Sequence, residues 1–310
     1  METEFVEWLV RRIPADPRLE VPPGDDAAVL RPPAMRRTVV TVDMLTAGVD
    51  FVLGPACSAT AVGHKALAVS LSDLAAMAAR PEAALVAVAL PRAGGVQIGH
   101  DMLEGIAALA ARHGVTLAGG DTNSWDGPLV VSVTAIGSVP PGRAWRRDGA
   151  RPGDVLVVTG PCGGSLLGRH LRVAPRCHEA LMIAERLCVH AAIDISDGLA
   201  LDLSRMMAAS GTGCRVRLAD VPVHDDAIAM AARPGNGRSP LEHALADGED
   251  FELLLAMPAV DAAALVAEPP ASLRPAIIGT VTDGSDMVAC EPDGHQRVLQ
   301  PTGFIHAFNP

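Results

Sequence analysis

Several aspartates in this sequence stand at positions where a carboxylate is costly unless something binds it. Asp43 follows the apolar run RTVVTV, and Asp73 lies inside the nearly wholly apolar segment KALAVSLSDLAAMAA. Asp121 follows two glycines in LAGGDTN. A buried carboxylate without a partner costs several kcal/mol unless it meets a cation or good hydrogen-bond donors. The positions of these acids therefore indicate ligand binding as well as structural roles.

Further acids of this kind are Asp25 and Asp26 in PPGDDAAVL, Asp194 and Asp197 in AIDISDGLALDL, and Glu249 and Asp250 in DGEDFELLL. Each could instead cap a helix or shape a turn by accepting backbone N–H groups. That interpretation suits Asp121 and Asp194, which adjoin turn signals, and suits Asp73 poorly because it lies in mid-helix. Taken together, clustered hard oxygen ligands with almost no interleaved lysine favour a Mg²⁺ site. Several Mg²⁺ ions held by aspartates are typical of phosphoryl transfer.

The familiar nucleotide-binding motifs are missing from the sequence. It contains no G-x-x-x-x-G-K-[ST] and no kinase H-R-D or D-F-G set. The turn PCGGS (161–165), after the run VLVVTG, could hold a phosphate at a helix N-terminus. A tight strand-to-helix turn explains it equally well. No cysteine pair has C-x-x-C spacing, so we expect reduced core cysteines rather than a zinc or redox site.

The composition excludes several classes of protein. With 49% hydrophobic residues, the 310-residue chain is too apolar to be disordered. A formal net charge of −11 argues against nucleic-acid binding and against docking on an anionic membrane. No apolar run is long enough to span a bilayer, and the acidic start METEFVEWLVRR does not resemble a secretory signal. We therefore expect a cytoplasmic protein that binds neither nucleic acid nor membrane.

Hydrophobic patterning predicts two α/β domains, at 1–145 and 146–310, separated by the Pro-, Gly- and Arg-rich cluster 139–154. In the first domain we expect strands at 37–42, 84–90, 115–118 and 129–137, and helices at 58–79 and 96–113. Ser58 is placed to cap the first helix, and Gly114 to end the second. In the second domain we expect strands at 155–160, 213–219, 251–257 and 275–282. Helices are expected after the PCGGS turn and at 177–190, 199–210, 223–232 and 239–246.

Seven motifs in one order resemble the thiamine-monophosphate kinases, a family of the wider group of aminoimidazole-ribonucleotide-synthetase-like ATP-binding proteins. They are GDDAAV (24–29), TVDMLTAGVDF (41–51), KALAVSLSDLAAM (65–77), GGDTN (119–123), GARPGD (149–154), IDISDGL (193–199) and GEDFEL (248–253). The resemblance implies a mixed α/β (α+β), two-domain aminoimidazole-ribonucleotide-synthetase-like fold. It also implies a homodimer in which the N-terminal domains pair their sheets into a shared β-barrel.

The resemblance further implies that ATP phosphorylates thiamine monophosphate to thiamine diphosphate, with several Mg²⁺ ions in each active site. The implied Mg²⁺ ligands are Asp26, Thr41, Val42 through its carbonyl, Asp43, Asp73, Asp121, Asp194 and Asp197. ATP would contact Gly120, Asp121, Arg147 and Ser196, and the implied catalytic residues are Asp43, Asp73, Asp121 and Arg147. The substrate would contact Asp50, Glu249 and Phe304.

The sequence departs from the family pattern at two functional motifs. Asp50 stands where the family has a histidine that contacts substrate, and Ser70 replaces the usual asparagine of the N-L-S-D motif. The spacer between the PCGGS turn and LRVAPR (171–176) also looks shorter than usual. A related enzyme that uses ATP to activate an oxygen on another small molecule remains an alternative, as does a non-catalytic nucleotide-binding relative. The intact Asp43, Asp73, Asp121 and Asp197 argue against the latter.

Overall fold

The computed structural model describes residues 12, 16–21, 29–31 and 33–305. The chain divides into two compact units. The first unit contains Met1–Leu74, Ala79–Arg143 and Leu171–Val173, and the second contains Ala75–Ala78, Ala144–His170 and Ala174–Pro310. Near the start of the first unit, β1 (Leu19–Val21) and β2 (Val29–Leu30) form a short antiparallel pair.

A four-stranded sheet with two helices forms the main body of the first unit. Its strands are β3 (Arg37–Thr46), β4 (Arg80–Pro91), β5 (Thr116–Trp125) and β6 (Val130–Val139), in the order β3-β6-β4-β5. Helix α1 (Ala59–Ala76) precedes β4, and α2 (Gly95–His113) connects β4 to the parallel strand β5, which requires such a crossover. Ser58 Oγ accepts the N–H of Ala61, so the predicted cap on α1 is confirmed.

One face of this sheet is buried and the other is open. In β6, Val131, Val133 and Ala135 are buried, and the intervening residues are less so. In β3, by contrast, Val40, Val42 and Met44 expose 61%, 64% and 64% of their surface. Among the described strands only β6 pairs with β3, which is therefore an edge strand. The sheet therefore has an apolar open face next to an unpaired edge.

A seven-stranded sheet organises the described part of the second unit, in the order β13-β12-β9-β11-β7-β10-β8. Its strands are β7 (Val155–Val158), β8 (Ala191–Asp194), β9 (Gly213–Arg217), β10 (Leu253–Met257), β11 (Ala276–Thr282), β12 (Met287–Cys290) and β13 (Gln296–Val298). The helices are α3 (Cys177–Arg186), α4 (Leu199–Ser210), α5 (Asp225–Ala231), α6 (Pro240–Ala246) and α7 (Ala259–Ala267). β10 is buried at every position, which explains the uninterrupted run LLLAM.

The predicted elements are confirmed in type, with two main corrections. The α-helix expected after the PCGGS turn is wrong: two 3₁₀ turns, Ser165–Leu167 and Arg169–Leu171, separated by Gly168 at φ 125°, occupy that place. The strand expected at 115–118 continues through GGDTN as far as Trp125. β1, β2, β8, α7, β12 and β13 were not predicted as elements. All six cysteines are free thiols, and no helix in the described part has the length and apolarity to cross a bilayer.

Candidate functional site

Two carboxylates of the first unit, Asp43 on β3 and Asp73 on α1, lie close together on the covered side of the sheet. The Thr41 hydroxyl donates to Asp73 Oδ2, and Ser70 Oγ lies 2.6 Å from Asp43 Oδ2. Burial, reinforced by the charge of Asp73, raises the pKa of Asp43 to about 6, against the opposing hydrogen bond from Ser70. Ser70 thus supplies a donor to Asp43 although it replaces the family asparagine.

The other first-unit site residues lie around this pair or across the sheet from it. The Val42 side chain is exposed between Thr41 and Asp43. The strand register puts Asp43 in one row with Val133, Val86 and Gly120, while Asp121 lies in the next row, beside Ala87. Since β3 and β5 are the two outer strands, three strand spacings of about 4.8 Å each separate them. Asp26 falls outside the described residues.

Asp50 closes the turn that follows β3. Its Oδ2 accepts the Thr46 N–H at 2.7 Å, and its own N–H donates to the Thr46 carbonyl at 3.0 Å. Lys65, which is fully buried in α1, donates from Nζ to the Asp50 carbonyl at 2.8 Å. The carboxylate that replaces the family histidine therefore stabilises its own turn, and a buried ammonium group fixes the main chain beside it.

In the second unit, a fully buried aspartate that sequence reasoning missed organises the IDISDGL motif. Asp202 Oδ2 accepts the N–H groups of Ser196, Asp197 and Gly198 at 3.1, 2.9 and 3.1 Å. Arg205 Nη1 bridges Asp202 Oδ1 at 2.7 Å and Asp197 Oδ2 at 2.5 Å. The signal for Asp202 was its place in the first turn of α4, directly after the motif.

Main-chain hydrogen bonds bring two further predicted residues, Glu249 and Phe304, to this loop. The Glu249 N–H donates to the Ser196 carbonyl at 2.7 Å, and the Phe304 N–H donates to the Asp197 carbonyl at 2.8 Å. Asp194 is buried at the end of β8. Arg147 is exposed, and its carbonyl accepts the Ser210 hydroxyl at 2.8 Å. Ser196, Asp197, Glu249 and Phe304, from three separate segments, thus share one site.

The N–H groups of the glycine-rich turn are occupied by carboxylates of this chain. The Gly163 N–H lies 2.9 and 3.0 Å from the two Asp250 oxygens, and the Gly164 N–H donates to Asp247 Oδ2 at 2.9 Å. Arg169 Nη2 adds a 2.9 Å ion pair to Asp250. Burial raises the pKa of Asp250 to about 7, with Arg169 and the Gly163 N–H opposing the shift. These two N–H groups therefore do not form the open phosphate cradle that the motif suggested.

The donor chemistry of the first-unit pair fits Mg²⁺. Among the described residues, no group of three or more His, Cys, Asp or Glu side chains is placed to hold a metal ion. Mg²⁺ seldom uses such a cage, because it keeps several waters and binds through one or two carboxylates together with substrate phosphates. Asp43 and Asp73, with the Thr41 hydroxyl beside them, provide two hard anionic ligands whose mutual repulsion a cation would relieve.

Comparison with known proteins first defines the class. The family profile of AIR synthase related protein, N-terminal domain, matches residues 24–139, and that of AIR synthase related protein, C-terminal domain, matches residues 151–289. The two profiles cover most of the chain and agree with the mixed α/β fold in two parts. The protein is therefore of the AIR synthase related class.

Individual relatives narrow the class to one family. The chain is 40% identical over 313 residues to thiamine-monophosphate kinase of Rhodopirellula baltica, covering 99% of this chain and 97% of the relative. The crystal structure of thiamine-monophosphate kinase from Stenotrophomonas maltophilia K279a matches with a TM-score of 0.78 and 33% identity, covering 94% of this chain and 95% of that one. AaThiL complexed with AMPPCP and TMP matches with a TM-score of 0.76 and 27% identity over 90% of both chains. The chain belongs to the thiamine-monophosphate kinase family.

Proposed function

We propose that this chain transfers the γ-phosphoryl group of ATP to the phosphate of thiamine monophosphate, giving thiamine diphosphate and ADP. The observation that carries the assignment is the full-length match to the Rhodopirellula baltica kinase. The match to AaThiL, a protein solved with an ATP analogue and TMP, supports the same pair of substrates. A related enzyme acting on another small molecule, and a non-catalytic relative, are the outcomes against which the assignment is tested.

The proposed centre of a Mg²⁺ site is the pair Asp43 and Asp73 with the Thr41 hydroxyl. The other proposed ligands of several Mg²⁺ ions are the Val42 carbonyl, Asp26, Asp121, Asp194 and Asp197. When bound, Mg²⁺ would supply positive charge against the phosphates of ATP. The closeness of Asp43 and Asp73, together with the raised pKa of Asp43, supports a cation there. Gly120, Asp121, Arg147 and Ser196 are the proposed ATP contacts, and Arg147 would place a fixed positive charge beside the phosphates.

The attacking group is a phosphate oxygen of thiamine monophosphate. A phosphate monoester has a second pKa near 6, so this oxygen is largely ionised at pH 7 and needs no general base. The work of the protein is then to align two mutually repelling anions and to balance their charge. Glu249 and Phe304, which share one loop cluster in the second unit, are the proposed contacts of the thiamine moiety, together with Asp50.

A homodimer with a shared β-barrel is the proposed assembly. The exposed apolar residues Val40, Val42 and Met44 lie on the open face of an edge strand, which a second copy would cover. Closing two such sheets into a barrel would set β3 beside the partner's β5. Asp43 and the partner's Asp121 would then lie on neighbouring strands of the barrel. In this assembly residues 1–145 form the proposed ATP-binding and dimerisation domain, and residues 146–310 form the C-terminal domain. The cytoplasm is the proposed location of the enzyme.

The direct test of the activity is to incubate the protein with Mg-ATP and thiamine monophosphate and to measure thiamine diphosphate as its fluorescent thiochrome derivative. We expect stoichiometric thiamine diphosphate and ADP, and no product when Mg²⁺ is chelated. ADP formation without thiamine diphosphate would indicate a related enzyme with another acceptor. Binding of Mg-ATP without any turnover would indicate a non-catalytic relative.

Mixing two inactive variants tests the shared site. Asp43→Asn and Asp121→Asn should each be inactive alone. If the two residues meet across the dimer, a random mixture contains heterodimers in which one site has both aspartates, so about a quarter of wild-type activity should return. If they act within one chain, mixing restores nothing. Met44→Lys, which charges the open face, should give monomers by sedimentation velocity, and an unchanged dimer would contradict the barrel.

A further inference from the structure

The glycine-rich turn of the second unit has no part in the proposed chemistry, yet it is joined to the segment 247–250 by three sets of hydrogen bonds. The N–H groups of Gly163 and Gly164 donate to the carboxylates of Asp250 and Asp247. The third contact is the Ser165 hydroxyl, which donates to the Glu249 carbonyl at 2.6 Å. Ser165 is fully buried, whereas Glu249 is only partly so.

The segment that the turn supports has an unusual backbone. Glu249 and Phe251 have φ angles of 58° and 52°, in the left-handed region that side-chain-bearing residues seldom adopt. Such residues persist only where the surroundings fix them, and they concentrate at functional sites. The N–H groups of Glu249 and Phe251 are held by the carbonyls of Ser196 and Ile195, at 2.7 and 2.8 Å. Ser165 holds the Glu249 carbonyl, so both main-chain polar groups of Glu249 are fixed.

The turn is a rigid support because glycine lets it pack closely against two helices. Gly163 and Gly164 have φ angles of 92° and 72°. A Cβ on Gly163 would lie 2.5 Å from the Ala244 nitrogen in α6, and one on Gly164 would lie 2.3 Å from the Asp226 carbonyl carbon in α5. The Ser165 hydroxyl therefore projects from a backbone that has no room to shift.

We infer that Ser165 is a positioning residue for substrate recognition, whose hydroxyl holds the strained Glu249 in the orientation that contacts the thiamine moiety. The inference rests on the proposed function, since Glu249 is its proposed substrate contact. Without the hydroxyl, the segment relaxes out of the binding-competent conformation for part of the time. The apparent affinity for the substrate falls by that fraction. The bound, competent state is unchanged, so kcat and the KM for ATP should stay the same.

The test compares Ser165→Ala with Ser204→Ala. Ser204 makes the same kind of bond, 2.7 Å from its Oγ to the Leu201 carbonyl, but within its own helix α4. Loss of one hydrogen bond predicts an increase of about tenfold in the KM for thiamine monophosphate in Ser165→Ala. Its kcat and its KM for ATP should stay within about twofold of wild type. Ser204→Ala should leave both KM values unchanged.

A double-mutant cycle shows whether Ser165 acts through Glu249. In a Glu249→Ala background, Ser165→Ala should add no further increase in the KM for thiamine monophosphate. A full additional increase there, an unchanged KM in the single variant, or an equal rise in the KM for ATP would overturn the inference. Ser165→Cys, which keeps the size and a weak donor, should fall between Ala and wild type, and it replaces Ser165→Ala if that variant fails to fold.

Failure of the proposed function can be distinguished from failure of the support role of Ser165. If the wild-type protein does not convert thiamine monophosphate, the substrate role of Ser165 fails with the assignment. Amide hydrogen exchange at Glu249 and Phe251 then still decides whether Ser165 supports the segment. Ser165→Ala should speed exchange at these two amides, Ser204→Ala should not, and equal exchange in all three proteins would remove the support role as well.

Discussion

In the first unit Asp43 and Asp73 receive hydrogen bonds from hydroxyl groups, whereas in the second unit Asp202 and Asp250 face guanidinium groups and backbone N–H donors. Within the described residues, neither Asp43 nor Asp73 has an ion pair. The second-unit carboxylates thus have cationic and N–H partners from this chain, whereas the hydrogen-bond partners of the first-unit pair among the described residues are neutral hydroxyl groups. We therefore propose that Asp43 and Asp73 bind a ligand, whereas Asp202 and Asp250 stabilise the fold.

Replacing one aspartate by asparagine in each unit should separate ligand binding from fold stabilisation most strongly. Asp73→Asn removes one charge from the first-unit pair, so turnover should fall by at least about 10²-fold because a charge-stabilising contact is lost. Without Mg²⁺ the variant should be more stable than wild type by about 1 kcal/mol, since like-charge repulsion is relieved. Steady-state assays and urea unfolding measure the two effects. Wild-type turnover, or a marked loss of metal-free stability, would contradict a ligand role.

Asp202→Asn is the matched change in the second unit. Asp202 is fully buried and lies beside Arg205, so the neutral side chain leaves the guanidinium without part of its compensation. We expect a loss of about 3 kcal/mol in the free energy of unfolding. This loss should be the same with and without Mg²⁺, in contrast to Asp73→Asn. A variant as stable as wild type would show that the three N–H contacts do not depend on the charge.

Two glycine variants separate the stability cost of close packing in the glycine-rich turn from the cost of its backbone conformation. Gly164→Ala and Gly211→Ala both place a Cβ at a positive φ, 72° and 65°, but only the first meets neighbouring atoms. Gly211→Ala should cost about 1–2 kcal/mol from backbone strain alone. Gly164→Ala should cost about 1–3 kcal/mol more because of overpacking against Asp226. Equal losses in the two variants, measured by thermal unfolding, would mean that the turn has room to move.

The smallest expected effect concerns Asp16 in the first unit. Its hydrogen bonds from Arg18, followed by that from the Thr116 hydroxyl, hold the pKa of Asp16 well below its usual range. Its contribution to stability is therefore present above pH ~4 and is lost as the pH falls towards the depressed value. Asp16→Asn should lower the free energy of unfolding by about 1 kcal/mol at pH 7 and by progressively less below pH ~4. Asp126→Asn, which breaks an exposed pair with Arg92, is the control and should change little.

Sequence patterning predicted the type of most elements because alternating or continuous burial leaves a recognisable hydrophobic pattern along the chain. The alternation of β6 and the uninterrupted apolar run of β10 are both read directly from the residues. The helix expected after PCGGS was wrong because that turn continues into two 3₁₀ segments broken at Gly168. β5 was predicted too short, since glycines in GGDTN resemble a strand end although the chain stays extended.

By itself the sequence determined the motifs: the order of the seven segments and the acids in them identify the family, because each motif is a local run of residues. The tertiary structure decided which groups each acid contacts. Gly163 meets Asp250 across 87 positions of the chain and Ser165 meets Glu249 across 84, so the use of PCGGS as a support is not visible locally. Likewise Asp43 and Asp73 become a pair only when α1 packs on β3. Hydrogen bonds and charge pairs act over a few ångströms of space, and patterning along the chain does not specify which distant residues will meet.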